Sequence, residues 1–552
     1  HAIDFDGELY LRQERGGMLM GTYEKACKPW SEHETPWTFG HELLPPDIDR
    51  IAPSLEVGFK HFPAFQNAGI KQIVNGPFTF APDGNPLVGP VRGLEGYWCA
   101  CGVMAGFSQG GGVGLALAQW MINGDPGMDV WAMDVARFGD WASKAYTNAK
   151  VRENYARRFS IRFPNEELPA GRPLKTSPIY SQLAARGAQF GAAAGLEVPL
   201  WYAPEGVRDT FSWYRSSDFD TVGAEARAVR AGVGLMEATS FAKYSVRGPG
   251  ALEWLDRMLT CRIPAVGRMT LAPMLKEDGK LIGDFTLAHV SDGDFLIIGS
   301  GIAEDYHMRW FQQHLPADGS VSITAHGSDL CGLALAGPRA REVLAAVTTA
   351  DLSPAAFRFM DIRRIPIGLT SALVGRVSYT GDLGYEIWCP ASYQLHIFET
   401  LMKAGAEHGI RLFGSRALNA LRLEKAYGSW AREYRPIYGP LEAGLERFVA
   451  LDKQADFIGK GAARRERDTG GRLRLRCFTV DALDADVIGD EPIWREGKVC
   501  GWVTSGGYAH DSKVSVALGY VPREIADETE GWSIEILGEM RRARLQAKPL
   551  RA

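Results

Sequence analysis

Apolar and polar positions change rhythm along this chain. Residues 7–24 alternate around Gly16-Gly17, which predicts two short strands and a turn. A helical pattern over 47–68 is followed by a short apolar stretch at 72–76, read as a strand. The prolines and glycine of 82–86 allow only turn or extended backbone. Residues 97–101 read as a buried strand running through the glycine-dense 102–114 into an apolar helix at 115–122, stopped by Gly124-Asp125-Pro126. Residues 128–175 read as an aromatic and charged helical region.

From Thr176 the texture becomes one of short strands and amphipathic helices. Strands are predicted at 243–247, 285–290, 295–299 and 376–379, and helices at 250–260, 302–314, 339–347, 392–405 and 415–428. After Gly459-Lys460-Gly461, the run 464–467 reads as a basic connector. Residues 472–477 then alternate arginine with Leu473, Leu475 and Cys477, as a half-buried barrel strand would, or a basic groove for an anion. Short strands with glycine-rich turns close the chain as a small β-barrel.

Composition narrows the class. The 552 residues are 46% hydrophobic and 23% charged, which sets disordered and fibrous classes aside. A net charge of −5 lacks the basic excess of a nucleic-acid binder. Eight cysteines lie far apart apart from Cys99-Ala-Cys101, without zinc spacing, so free thiols and no metal are expected. Gly110–Ile122 is too short to span a bilayer, and neither a membrane nor a nucleic acid is an expected partner. The chain opens at His1 with no Met or signal pattern, and that start reads as mid-protein.

The candidate chemistry is local. Gly106-Phe107-Ser108-Gln109-Gly110-Gly111, placed between a strand and a helix, would let a phosphate or a flavin edge approach the backbone; close strand–helix packing would use the same residues. It is not the dinucleotide fingerprint, because the sixth position counted from Gly112 is Leu117. Asp284 stands where a turn enters an apolar strand, a setting for a desolvated proton-handling carboxylate or for a turn cap. In Tyr379–Trp388, period-two alternation puts Glu386 and Trp388 on one face, where an acid can bind an amino-pyrimidine edge and an aromatic can pack on its ring. An edge strand with an exposed acid is the plainer alternative. Arg416 and Arg422 suit a carboxylate or a helix surface equally. Serine-hydrolase elbow, zincin and Walker patterns are absent.

Several motifs in order resemble a known family. Asn75–Pro90 and the Gly106–Gly114 run look like the end of the FAD-dependent oxidoreductase domain of dimethylglycine and sarcosine dehydrogenases. Gly171-Arg172-Pro173 and Gly195–Tyr202 resemble their joint to a second half similar to the glycine cleavage T-protein, an aminomethyltransferase. Matching segments there are Phe241–Tyr244, the Asp284 region, Tyr379–Trp388, Asn419–Ala426, Pro440–Glu446 and Gly519–Pro522.

The resemblance implies a multidomain α/β and α+β fold. Residues 1–127 would be the C-terminal part of an FAD-dependent amine oxidoreductase domain and 128–175 a helical connector. A T-protein-like folate-binding α+β domain would take 176–460 and a C-terminal β-barrel 461–552. FAD and tetrahydrofolate are the implied cofactors. Gly106 to Gly111 correspond to the loop over the flavin and Asp284 to the catalytic aspartate beside the folate nitrogens. Glu386 would grip the pterin, Tyr379 and Trp388 would wall the pocket, and Arg416 would bind the cofactor.

The implied activity is oxidation of an N-methyl amino acid to an iminium, captured by tetrahydrofolate as 5,10-methylenetetrahydrofolate. Oxygen or an electron-transfer protein would accept the electrons, in bacterial cytoplasm or the mitochondrial matrix. The opening Gly-x-Gly-x-x-Gly unit and flavin-carrying histidine of these enzymes have no counterpart in this sequence. The flavin-binding N-terminal part is thus expected outside this chain, either in a longer protein of which this is a piece or on a separate polypeptide, and the chain alone is expected to hold FAD weakly or not at all. Alternatives are a stand-alone folate-dependent aminomethyltransferase, or a non-catalytic regulator like the regulatory subunit of pyruvate dehydrogenase phosphatase.

Overall fold

A computed structural model describes residues 1–551. The chain divides into two compact units, His1–Leu174 and Lys175–Ala552.

In the first unit the strands Leu9–Glu14 and Gly17–Thr22 pair about the Arg15-Gly16 turn, and Ala2–Asp4 adds a third strand. Asp47 caps the helix Ile48–His61 by accepting from the Arg50 N–H. Residues 72–76, expected as a strand, join no sheet; Asn75 bonds instead to 44–45, its carbonyl accepting from Leu44 N–H and its amide donating to the Pro45 carbonyl. Trp98–Cys101 is a strand, but it pairs only with Leu87–Pro90 and is half-buried to exposed rather than buried.

The glycine run differs most from expectation. It is no loop but the opening turns of the helix Gly106–Asn123. Glycine disfavours a helix by about 1 kcal/mol per residue relative to alanine. A buried stripe of Val113, Ala116 and Trp120 overrides that cost, and left-handed Gly124 ends the helix. Trp120 packs where Gly89 lacks a side chain; a β-carbon there would lie 2.7 Å from the indole. Between 128 and 174 only Lys144–Ala156 forms an α-helix, capped by Ser143, with 3₁₀ turns at Trp131–Met133 and Val135–Arg137.

The second unit holds two antiparallel-rich sheets and a barrel. One sheet runs, in order, Arg268–Leu275, Leu281–Ser291, Asp294–Gly299, Ala242–Arg247 and Ser322–Ala325. The other runs Ile362–Ile367, Thr370–Gly375, Gly384–Pro390, Leu330–Ala336, Gly234–Glu237 and Arg411–Leu412. Only its last pair is parallel. Met269 and Ala288 of the first sheet pack with Leu373 and Trp388 of the second, so these inner faces share a core.

The predicted strand at 376–379 is not formed: Thr370–Gly375 ends before it, and only Arg376 stays bonded to the neighbouring chain segment, its N–H donating to the Asp361 carbonyl and its carbonyl accepting from Met360 N–H. Residues 464–467 are not a connector but part of the helix Lys460–Thr469. Six strands close the C-terminal barrel, in which Leu473–Val480 pairs with both Val514–Pro522 and Glu539–Gln546. Arg476 on that strand donates to Asp527 and to the Ala526 carbonyl, so this cation is already partnered. Among the described residues no helix is long and apolar enough to cross a membrane.

Candidate functional site

Asp284 lies near the start of the strand Leu281–Ser291, where alternation gives Gly283, Phe285 and Leu287 one face and Asp284, Thr286 and Ala288 the other. The Phe285 ring is fixed first. It fills the space over two glycines, since a β-carbon would come within 2.4 Å of it from Gly283 and 2.6 Å from Gly299. It also meets His307 at 4.8 Å and Phe311 at 5.7 Å. With Phe285 anchored behind the strand, Asp284 must point to the inter-sheet side, the face whose Ala288 packs with Trp388.

Asp284 is half-buried, and its Oδ1 is sealed from water with no hydrogen-bond partner. Burial, helped by the negative charge of Glu433, pushes its carboxyl up to about 8. A carboxyl in that range holds a proton near neutrality and releases it just above.

Glu386 enters from the second sheet. Its cross-strand neighbours are Ala334 and Gly375, which leave its side chain uncrowded. The side chain has no hydrogen bond or ion pair among the described residues, and burial alone raises its carboxyl to about 7. Trp388, on the same face, is 2% exposed; its ring lies beside Gly332 and 5.8 Å from the Lys243 ammonium. Burial lowers that fully enclosed lysine to about 8, and it donates to the Thr239 carbonyl at 2.6 Å.

Tyr379 follows the second sheet's Thr370–Gly375 strand. Its phenol donates to the Gly428 carbonyl at 2.5 Å and its ring stacks on Tyr427. Burial holds this phenol well above its ordinary range; Glu433 and Asp284 add to that, while Arg422 opposes it.

The segment 426–434, which sequence reasoning missed, bears on the Asp284 strand and on Tyr379. Ala426 and Ala431 have φ of +54° and +65°. Such left-handed backbone costs a non-glycine residue about 1–2 kcal/mol, so something must hold it. Glu433 does. Its fully buried carboxylate accepts from Ser429 N at 2.9 Å, Arg422 Nη1 at 3.2 Å, Thr504 Oγ1 at 2.6 Å and Ser505 Oγ. Two of those donors belong to the barrel, as does Tyr520, whose hydroxyl donates to the Glu433 carbonyl at 2.8 Å. Trp430 carries the segment to the Asp284 strand by packing at 4.9 Å on His307, which packs on Phe285. His307 is fully buried, neither ring nitrogen has a partner, and burial lowers it to about 3, so the ring is neutral. No local spacing advertised this; the contacts arise only in the fold.

The two arginines are committed within the protein. Arg422 is 4% exposed and held by Glu433, Asn419 and the Tyr427 carbonyl, so it is neither a helix-surface cation nor free for a ligand. Arg416 donates to Asp218 at 2.8 Å and to both oxygens of Asp209 at 3.2 Å. In the first unit Gly106, Gly110 and Gly111 line a helix face on which added β-carbons would meet nothing within 4 Å. Phe107 projects fully exposed, Ser108 Oγ donates to the Ala105 carbonyl, and Gln109 Oε1 is buried without a partner. Among the described residues no cluster of His, Cys, Asp and Glu suits a metal.

Comparison with known proteins agrees with this layout. The sequence matches the FAD dependent oxidoreductase family over residues 1–120 and its central domain over 123–177. It matches the GCVT N-terminal domain over 179–453 and the glycine cleavage T-protein C-terminal barrel domain over 474–550. Mouse mitochondrial dimethylglycine dehydrogenase is 38% identical over 99% of this chain and 64% of its own length. The mouse mitochondrial pyruvate dehydrogenase phosphatase regulatory subunit is 32% identical over 96% of this chain and 62% of its own. The chain therefore spans a little under two thirds of these relatives. The glycine cleavage system aminomethyltransferase T of Bartonella henselae superposes with a TM-score of 0.59 at 24% identity, covering 68% of this chain and 98% of that one, which shows a shared fold. Motif order, four consecutive domain matches and similarity along almost the whole sequence agree that this chain belongs to the dimethylglycine and sarcosine dehydrogenase family, in which FAD-dependent oxidoreductase and T-protein-like domains are joined.

Proposed function

We propose that this chain serves the folate-coupled oxidative demethylation of an N-methyl amino acid of the dimethylglycine or sarcosine type, yielding 5,10-methylenetetrahydrofolate. The observation that carries this reading is the pair of partner-poor carboxyls, Asp284 and Glu386, raised to about 8 and about 7 on inner strands of facing sheets. Leaving such groups unmatched opposes folding, and sites built for a ligand retain them. FAD, when bound, supplies the hydride-accepting chemistry that converts the N-methyl amine to an iminium. The open glycine face at Gly106, Gly110 and Gly111, with Phe107, Ser108 and Gln109 beside it, fits close approach of a flat ring or phosphate.

In the second unit the chain's own residues manage protons. Glu386, ionised above about pH 7, accepts two hydrogen bonds from an amino-pyrimidine edge. Tyr379 and Trp388 border the same region, and Arg416 steadies the segment carrying Asp209 and Asp218. Capture of CH₂=NHR⁺ by the two N–H groups of tetrahydrofolate forms two C–N bonds, breaks the iminium C–N bond and releases RNH₃⁺. Asp284 takes a proton from an attacking nitrogen and returns one to the leaving amine. The domain division at 127, 175 and 460, an oxygen or electron-transfer acceptor, a flavin-binding partner segment, and a cytoplasmic or matrix setting belong to this same reading.

The test uses the assembled flavoenzyme. Asp284→Asn is expected to lower methylenetetrahydrofolate formation about ten- to a thousandfold while formaldehyde release rises. Unchanged partitioning between the two products would make Asp284 a structural residue.

A further inference from the structure

One phenol beside these groups has no part in that scheme. Tyr434 follows Glu433 on the clamped segment and is 9% exposed. A β-carbon on Gly428 would come within 2.6 Å of Tyr434 Cζ and 2.8 Å of its Oη, so only glycine admits the ring there. Tyr379 donates to the carbonyl of the same Gly428, and the two phenols therefore converge on one residue. The Gly428 N–H faces the Tyr434 oxygen. No group among the described residues accepts the Tyr434 hydroxyl proton. Burial, followed by the charge of Asp284, keeps the phenol protonated.

Asp284 Oδ1 is the complementary case, a sealed acceptor with no donor. The two groups do not bond to each other, although Asp284 exerts the largest charge effect on Tyr434. A phenol donor without an acceptor at the Tyr379–Gly428 corner and a carboxyl oxygen without a donor would both be matched by a nitrogen heterocycle offering an N–H to the carboxyl and a lone pair to the phenol. We propose that Tyr434 is a further substrate-binding residue, donating a hydrogen bond to the ring ligand whose amine Asp284 serves. This assignment rests on the folate reading above and adds a contact to it.

The probe is tetrahydrofolate titrated calorimetrically into the chain. Tyr434→Phe is expected to weaken binding about five- to tenfold, with the melting temperature unchanged. Gly428→Ala keeps the phenol but displaces it, and a loss of the same size is expected. The double variant should bind no more weakly than the poorer single variant, because both remove one contact. Wild-type affinity in Tyr434→Phe, or additive losses in the double variant, would overturn the assignment while leaving the folate site standing. Failure of the unmutated chain to bind tetrahydrofolate would overturn both.

Discussion

Asp284→Asn should make the protein more stable, by a margin that grows as pH rises from about 4 to about 8. In the unfolded chain the carboxyl loses its proton near 3.8, whereas in the native state burial delays that loss to about 8. Between those values the native protein binds more protons than the unfolded one. Its stability therefore falls as pH rises, and levels off above about 8. Roughly four pH units at about 1.4 kcal/mol each set an upper bound of about 5–6 kcal/mol. The residue is half-buried and one oxygen keeps some solvent, which reduces the expected figure to about 2–3 kcal/mol. Asparagine preserves the shape without the charge. The stability gap between Asp284→Asn and wild type should thus grow from near zero at pH 4 to about 2–3 kcal/mol in favour of the mutant at pH 9. Glu386 titrates in both proteins and cancels. Urea unfolding followed by tryptophan fluorescence across this range measures the gap. A gap independent of pH, or a wild type more stable at pH 9, would refute the desolvation of Asp284.

Glu386→Gln should weaken tetrahydrofolate binding by about 1.5–3 kcal/mol, and wild-type affinity should rise as pH passes upward through about 7; calorimetry at pH 6 and 8 checks both. Gly332→Ala would put a β-carbon 2.3 Å from the Trp388 ring and 2.8 Å from the Ala238 carbonyl, so a loss of about 1–3 kcal/mol in denaturant unfolding is expected. Arg416→Ala leaves Asp209 and Asp218 facing each other without their cation, and should cost about 2–4 kcal/mol of stability. Unchanged stability with lost folate binding would instead make Arg416 a ligand contact.

Periodicity located the elements whose burial is one-sided. The hairpin about Gly16 was legible that way, and the alternation of 472–477 led into the first barrel strand, whereas the strand around Phe285, buried on both faces, was legible as an apolar run. It failed where tertiary contacts outweigh local preference. Residues 72–76 have strand composition but no partner strand, and the glycine run is helical because Val113, Ala116 and Trp120 anchor it. At the candidate site, Asp284 and Glu386 could be picked out because isolated acids interrupt apolar strands. Glu433, Tyr434 and His307 could not. Their significance depends on partners far away in sequence, such as Thr504 for Glu433 and Phe285 for His307.

The clamp on Glu433 sets an order of events during biosynthesis. Both inner sheets and the segment 426–434 are complete once Tyr434 has been made, yet Thr504, Ser505 and Tyr520 emerge from the ribosome only later. Until then the Glu433 carboxylate lacks those barrel donors, and burying it would be costly. The nascent chain therefore keeps that segment hydrated and the Tyr379–Tyr434 corner unformed. A ribosome stalled before residue 504 would display folded sheets without a competent site, and the barrel acts as the final step of maturation for residues it does not itself contain.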